Sequence, residues 1–390
     1  DNARPMTAID LIDTPAGVGR LLGELPDGDY RAIDTEFVRE KTYFPRPCLL
    51  QLARGESVAC LDLLADGVAD ALRAPLLDRG ILKVLHSARQ DLEVFHRLWG
   101  EIPAPVFDTQ IAGALTGLPE QCGYGQAVER LLGVPLAKGH ARTDWSRRPL
   151  SAEQLSYAAD DVRYLVPLYE ALRDRLAEQG RAEWPAEDFA ALVRPELYEP
   201  SPDTAWRRVK YARQLDDPAL ARLVPLAAWR ERVAIERDRP RRWILTDDAL
   251  LTLARANPTS RETVESTPGL PPAVGRRYAG ELARLLAALP PDSPPPDTGP
   301  DTRMTKEETR LAKPLGRGVD DCAEAAGSAA SALSPRADLR RLGRGEREVP
   351  VRDGGRRALV GERLLECLGG ECPAAPAQEP VEKGDSVSSS

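Results

Sequence analysis

Asp34 and Glu36 stand two residues apart in Ala32-Ile33-Asp34-Thr35-Glu36-Phe37. On a strand, alternate side chains share a face, so both carboxylates would project together from an otherwise apolar segment. Such a pair is costly unless something positive sits between its members, and hard divalent cations with oxygen ligands meet that need. Taken alone, an Asp-x-Glu pair also arises by chance, satisfied by solvent or an arginine. Asp91 follows the run Leu82-Lys83-Val84-Leu85-His86 and falls in the first turn of the next helix, where an acid also simply suits the macrodipole. Tyr157 and Asp161, in Tyr157-Ala158-Ala159-Asp160-Asp161, are four residues apart and share one helical face. A phenol one turn from a metal-binding carboxylate can orient a water held on that metal, although a tyrosine packed on a carboxylate is a common pair in isolation. Jointly, four carboxylates and a tyrosine suit phosphodiester hydrolysis with two cations roughly 3.5–4 Å apart clamping the scissile phosphate. Asp160 points elsewhere, toward solvent or a basic partner. His86 is a substrate contact or an ordinary strand-end histidine, and Asp108 reads as a helix cap.

The elements that would position these groups follow from the apolar pattern. Residues 30–38, 48–52 and 57–63 read as strands joined by short connections, hence an antiparallel meander. A helix near 67–79, a strand over 81–86, a helix over 89–98 and a helix capped at Asp108-Thr109 come next. A single long helix is expected over 152–178, with Leu155, Ala158, Ala159, Val162, Leu165 and Leu168 as its apolar stripe. Strands followed by alternating helices and strands indicate an α/β fold, a mixed sheet flanked by helices. Prolines 195, 200 and 202 break the pattern, and 206–289 is helical throughout, with helices over 226–235, 247–255, from Ser260 and over 272–289. The expected division is therefore 1–195, 204–289, a proline-rich linker 290–304, a weaker helical unit 305–368 and a disordered tail 369–390.

The 390 residues suffice for two or three domains, and 42% hydrophobic with 29% charged residues describes a soluble globular protein. No run of about 18 apolar residues is present, so no membrane span is expected. No basic stretch precedes an apolar block near the N-terminus, so no secretory signal is read. The chain starts at Asp1 and not at Met, so a few upstream residues are expected to lie outside it. Six cysteines without a CxxC and only three histidines disfavour a zinc site or a disulfide framework, and point to reduced thiols in the cytoplasm. Net charge of −8 argues weakly against nucleic acid. The charge is uneven, however: residues 204–289 hold 16 Lys/Arg against 10 Asp/Glu. Lys138, His140, Arg142, Trp145, Arg147 and Arg148 place cations and an aromatic ring just before the Tyr157 segment, where they could hold phosphate and stack a base, or form a solvated basic loop. Thr35, Phe37, His86, Lys138, Arg142, Trp145 and Arg147 are the candidate substrate contacts.

The three acidic fragments resemble the motifs of the DEDD exonuclease superfamily in its tyrosine subgroup, which has an RNase H-like fold. Ile33–Phe37 through Tyr43-Phe44-Pro45, Leu49-Leu50-Gln51-Leu52, Phe107-Asp108-Thr109-Gln110 and Thr143 through Ser151 are similar to the bacterial ribonuclease D family. The resemblance implies that Asp34, Glu36, Asp91 and Asp161 ligate two Mg²⁺ or Mn²⁺ ions, that Tyr157 positions the attacking water, and that nucleoside 5′-monophosphates leave from RNA 3′ ends. It further implies tRNA precursors with 3′ trailers as substrate, and a monomer. Trp229-Arg230, Arg239-Pro240, Trp243-Ile244-Leu245, Gly269 and Tyr278 resemble an HRDC domain, a helical nucleic-acid-binding module, and 305–368 looks like a divergent second one. Two rival readings keep the fold: a catalytically silent RNA-binding adaptor, and a DNA 3′–5′ exonuclease, since discrimination depends on contacts to the 2′-OH.

Overall fold

The computed structural model describes residues 9, 11–26, 28–136, 139, 143–290, 293–294, 296, 306–334, 336–343, 360–361 and 364. Lys138, His140 and Arg142, most of the 290–304 linker, much of 344–368 and the 369–390 tail lie outside them.

The chain opens with β1 (Leu11–Ile12) and α1 (Pro15–Glu24), then the meander β2 (Tyr30–Val38), β3 (Arg46–Arg54) and β4 (Ser57–Asp62). α2 (Val68–Leu77), β5 (Leu82–Leu85), α3 (Arg89–Trp99), β6 (Val106–Asp108), α4 (Thr109–Leu115) and α5 (Tyr124–Leu132) follow. The sheet order is β1-β4-β3-β2-β5-β6, antiparallel through the meander and parallel at both sides. β2 is therefore an interior strand, held by β3 on one edge and β5 on the other. Alternation sorts its side chains: Ile33 joins Leu50, Leu52, Leu72, Leu92 and Phe95 in the core toward α2 and α3. Ala32 faces the opposite core with Val84, Leu165 and Leu168.

That opposite face is covered by α6 (Ala152–Arg163) and α7 (Leu165–Glu178), two helices where one was expected. Pro167 gives the reason. It has no N–H for the carbonyl of Arg163, so the α-helical ladder is interrupted around Tyr164. α6 is fixed at its start by a reciprocal capping box, Ser151 with Gln154. Its buried Ala158 and Ala159 pack on Cys48, Leu49 and Cys60 of the sheet. α1 and α5 are elements the sequence pattern did not separate from loop.

After α8 (Ala186–Leu192) the chain becomes helical: α9 (Asp217–Glu236), α10 (Arg241–Ile244), α11 (Asp247–Ala256), α12 (Arg261–Glu265) and α13 (Pro272–Ala287). α9 starts at Asp217, capped by Asp216, and runs through Pro225, so it is longer than the 226–235 expected. α14 (Lys306–Ala326), α15 (Ala330–Leu333) and α16 (Arg336–Gly343) complete the described helices. Leu315, Val319, Cys322 and Leu333 share the core of α4, α5 and α7. Arg181 fastens this junction, donating to the carbonyls of Leu115 and Ala326 and to Ser328 Oγ.

The loop 39–45, which leaves β2 two residues beyond Glu36, is clamped to the α9–α13 unit. Tyr43 is buried, and its hydroxyl donates to Glu231 and accepts from Arg241 (2.9 Å). The backbone N–H groups of Tyr43 and Phe44 donate to Asp238 at 2.9 and 3.0 Å. Glu231, 1% exposed, also receives both Arg241 Nε (2.5 Å) and Arg208 (3.3 Å). Burial alone would raise the Glu231 carboxyl, but bonds from Arg241 and Tyr43 outweigh it and hold it below its usual 4.5. A depressed carboxylate contributes stability that is present above about pH 4.5 and lost as the pH falls through the folded value. Arg241→Met leaves Glu231 buried with weaker partners, at an expected cost of about 3 kcal/mol. It also reverses the sign: the Glu231 carboxyl then rises above its usual value, and stability falls as the pH climbs from about 4.5 toward neutrality. Thermal melts across that window, with parallel pH profiles for variant and wild type, would show that Arg241 does not hold this charge.

Candidate active site

Asp34 and Glu36 project from β2 on the face covered by α6, and one carboxylate oxygen from each lies within 4.8 Å of the others in a group completed by Asp161. All three are half-buried. Asp91 approaches from the opposite side, in the first turn of α3. Its Oδ1 accepts the N–H (3.0 Å) and the hydroxyl (2.6 Å) of Thr35, the residue between Asp34 and Glu36. The strand thus presents two carboxylates on one face and fixes a third from the other. A bulge follows immediately: Glu36 faces Leu49 and Phe37 faces Pro47, leaving Cys48 as the extra residue. Tyr157 lies one turn before Asp161, half-buried, its ring 6.4 Å from that of Trp145.

Electrostatics mark the same cluster. Burial, then the charges of Asp91, Asp161 and Glu36, push the Asp34 carboxyl far above its ordinary range. Glu36 is pushed up to about 8 by burial, Asp161 and Asp91. Asp161 is pushed up to about 7 by burial, Asp160 and Asp91. Burial also takes Asp91 to about 7, although the Thr35 bonds pull against it. Tyr157 is pushed up to about 12 by burial and by Asp161, Glu36 and Asp34, so its phenol keeps its proton and can donate. A cluster of hard oxygen donors that repel one another is suited to a divalent cation, which removes the repulsion and favours the ionised forms.

Residues 9–177 match the family described as 3′–5′ exonuclease, and residues 219–286 match the HRDC domain. The chain is 36% identical to the ribonuclease D of Acidiphilium cryptum over 380 residues, covering 96% of this chain and 97% of that one. The chain belongs to the ribonuclease D family. Its fold agrees with the crystal structure of Escherichia coli RNase D, described as an exoribonuclease involved in structured RNA processing, at 33% identity and a TM-score of 0.80, covering 93% of this chain and 99% of that one. The structure of a Bifidobacterium adolescentis protein is similar at 25% identity and a TM-score of 0.69, covering 94% and 98%. Asp34, Glu36, Asp91, Tyr157 and Asp161 all fall inside the exonuclease match of this ribonuclease D family enzyme. The mixed sheet flanked by helices and the helical region after it are the fold read from the sequence.

Several expected substrate contacts have other work. Thr35 commits its hydroxyl and N–H to Asp91. His86 is engaged through both ring nitrogens, Nδ1 with Thr109 Oγ1 (2.9 Å) and Nε2 with the Cys122 carbonyl (3.0 Å), and burial lowers its pKa. A carbonyl only accepts, so Nε2 carries a proton, and the ring is a structural strut. Trp145 is 2% exposed, packed with Cys48, Leu49, Ala158 and Ala159; it backs Tyr157 and offers no face to a base. Arg148 draws this segment inward, binding both Asp62 oxygens at 2.6 Å and the carbonyls of Trp145 and Cys48 at 2.8 Å. Arg147 remains at the surface, its side chain 83% exposed and paired with Asp144. Phe37 is half-buried beside the bulge. Asp108 caps α4 through Gln110 and Ile111, and also accepts the N–H groups of Ser87 and Ala88 before α3. Tyr124, on the unforeseen α5, donates to the Asp160 carbonyl at 2.8 Å, and its phenol is raised by burial, Asp161 and Asp34. Gln51, fully buried and opposite Asp34 in the ladder, has no hydrogen-bond partner for its carboxamide among the described residues. Leu49-Leu50-Gln51-Leu52 was the only trace of it in the sequence.

Repulsion relieved by a cation predicts a thermal signature. Mg²⁺ or Mn²⁺ added to chelator-treated protein is expected to raise its melting temperature, by the equivalent of about 2.7 kcal/mol at 100 times the dissociation constant. Asp34→Asn is expected to stabilise the metal-free protein and to blunt that rise. A variant whose melting temperature falls without metal, yet climbs normally with it, would contradict the repulsion account.

Proposed function

We propose that this ribonuclease D family enzyme is a two-metal-dependent 3′–5′ exoribonuclease that trims structured RNA precursors, tRNA with 3′ trailers foremost. The observation that carries the reading is the convergence of Asp34, Glu36 and Asp161 oxygens within 4.8 Å, with Asp91 held beside them by Thr35. In this reading Asp34, Glu36, Asp91 and Asp161 hold two divalent cations, Mg²⁺ or Mn²⁺. Bound there, the ions would stabilise the attacking and leaving oxygens of the phosphodiester.

The chain's own groups then have distinct tasks. Asp34 and Glu36 are fixed by the β2 ladder. Asp91 is aimed by the two Thr35 bonds, which leave its second oxygen for a cation. Tyr157 stays protonated and one turn from Asp161, so its hydroxyl can orient the water that attacks the terminal phosphodiester. The water's oxygen bonds to phosphorus as the bond to the upstream 3′-oxygen breaks; the water gives up a proton to solvent, the 3′-oxygen takes one up to become a hydroxyl, and a nucleoside 5′-monophosphate leaves. The expectation of RNA over DNA is supported by the ribonuclease D relatives, while the excess of basic residues in the HRDC region would contribute affinity for the phosphate backbone of either.

Incubation with a tRNA precursor bearing a short 3′ trailer, and with matched DNA, in Mg²⁺, Mn²⁺ or EDTA, tests the reading. Metal-dependent shortening of the RNA is expected; its absence would sink the proposal, and faster DNA trimming would redirect it to DNA. Asp161→Ala is expected to abolish turnover while RNA binding persists. Thr35→Val keeps the volume but removes the hydroxyl that aims Asp91, so cation affinity should fall on the order of 10–100-fold by titration calorimetry.

A further inference from the structure

Among the described residues, the large hydrophobic side chains left exposed are Leu197, Tyr211 at 61% and Trp243 at 59%. The two aromatic rings both belong to the helical region. Tyr211 has φ +63°, a left-handed conformation disfavoured for a bulky side chain. Its neighbours Val209 and Ala212 are buried, so the chain is pinned on both sides while the ring is turned outward. The N–H of Lys210 donates to Asp247 at 3.3 Å, fastening this turn to the segment that carries Trp243. Two residues before Trp243, Arg241 lies 4.6 Å over the ring of Tyr43, whose loop leaves the strand bearing Asp34 and Glu36. Lys210, Arg213 and Arg242, each within two residues of one of these rings along the chain, are exposed as well.

We propose that Tyr211 and Trp243 form a base-stacking platform for single-stranded RNA upstream of the 3′ end being trimmed. The proposal rests on the exoribonuclease reading above and adds a site to it. Bases offer π faces regardless of sequence, and a cationic surround holds the phosphates between them. Exposed rings with exposed cations beside them in the chain fit a polyanion with flat apolar bases, and Arg241, two residues before Trp243, ties that segment to the loop that leaves the catalytic strand.

Binding of a short fluorescent oligoadenylate to the full-length protein in EDTA, followed by anisotropy, separates binding from turnover. Tyr211→Ala and Trp243→Ala are each expected to weaken binding about tenfold. Trp243→Phe should restore most of the loss. Neither substitution removes a charge, so the slope of affinity against salt stays at the wild-type value, whereas Arg242→Ala lowers it by about 0.7. A strand of equal length lacking its upstream bases should bind wild type and both Ala variants alike. Wild-type affinity for oligoadenylate in the Ala variants, or an equal loss on the base-free strand, would overturn the platform. If the wild-type enzyme shortens RNA while Trp243→Ala binds normally, the platform alone fails; if wild type neither binds nor shortens RNA, the exoribonuclease reading fails and takes the platform with it.

Discussion

Four carboxylates brought to the end of one strand repel each other, and the surrounding structure must hold them against that repulsion. The sheet does so by pairing β2 with β3 along Asp34 and Glu36, so the two cannot move apart without breaking that ladder, while β5 holds the start of the strand at Tyr30–Ala32. Thr35 reaches the opposite face and restrains Asp91. α6 brings Asp161 close because Ala158 and Ala159 are small where the helix meets the sheet. Burial first, and then the charges of neighbouring carboxylates, raises the carboxyl pKa across the cluster. A site built this way is preorganised for cations and uncomfortable without them.

Much of this was legible because it rests on local periodicity. Asp34 and Glu36 alternate with apolar neighbours on a strand, and Tyr157 and Asp161 are one helical turn apart; both relations survive in the structure unchanged. What was not legible depends on partners distant in sequence. Trp145 looked like a stacking residue beside cations, but Arg148 reaches Asp62 and Cys48 and carries the ring into the core. His86 was open to two readings, substrate contact or strand-end histidine, and its partners Thr109 and Cys122 lie 23 and 36 residues downstream. The break between α6 and α7 was visible in principle, since Pro167 interrupts the apolar stripe, but the stripe continues on both sides and hides it. Glu231 carried no local sign of its role: an acid in an apolar helix gains its meaning from Tyr43, far upstream.

Buried and half-buried arginines recur at the places where one element must be tied to another. Arg148 serves a carboxylate and three carbonyls, Arg181 two carbonyls and a hydroxyl, and Arg241 a carboxylate and a phenol. A planar guanidinium with five donors can satisfy several acceptors at once, which an ammonium cannot do in the same geometry. In a chain with net charge −8, these three cations are held within seams.

The loop between β2 and β3 has one further consequence. Connections between antiparallel strands ordinarily accept insertions and deletions, because little beyond the two strand ends constrains them. This one is held at three points: its ends by the ladder, and its middle by Asp238 and Glu231 of another structural unit. Adding or removing a single residue would move the Tyr43 ring out of its socket while the strands stayed in register. The length of a surface loop is thereby constrained like the volume of a core side chain: the exposed side chains of Glu40 and Lys41 can be exchanged in this chain, whereas the number of steps from Glu36 to Tyr43 cannot.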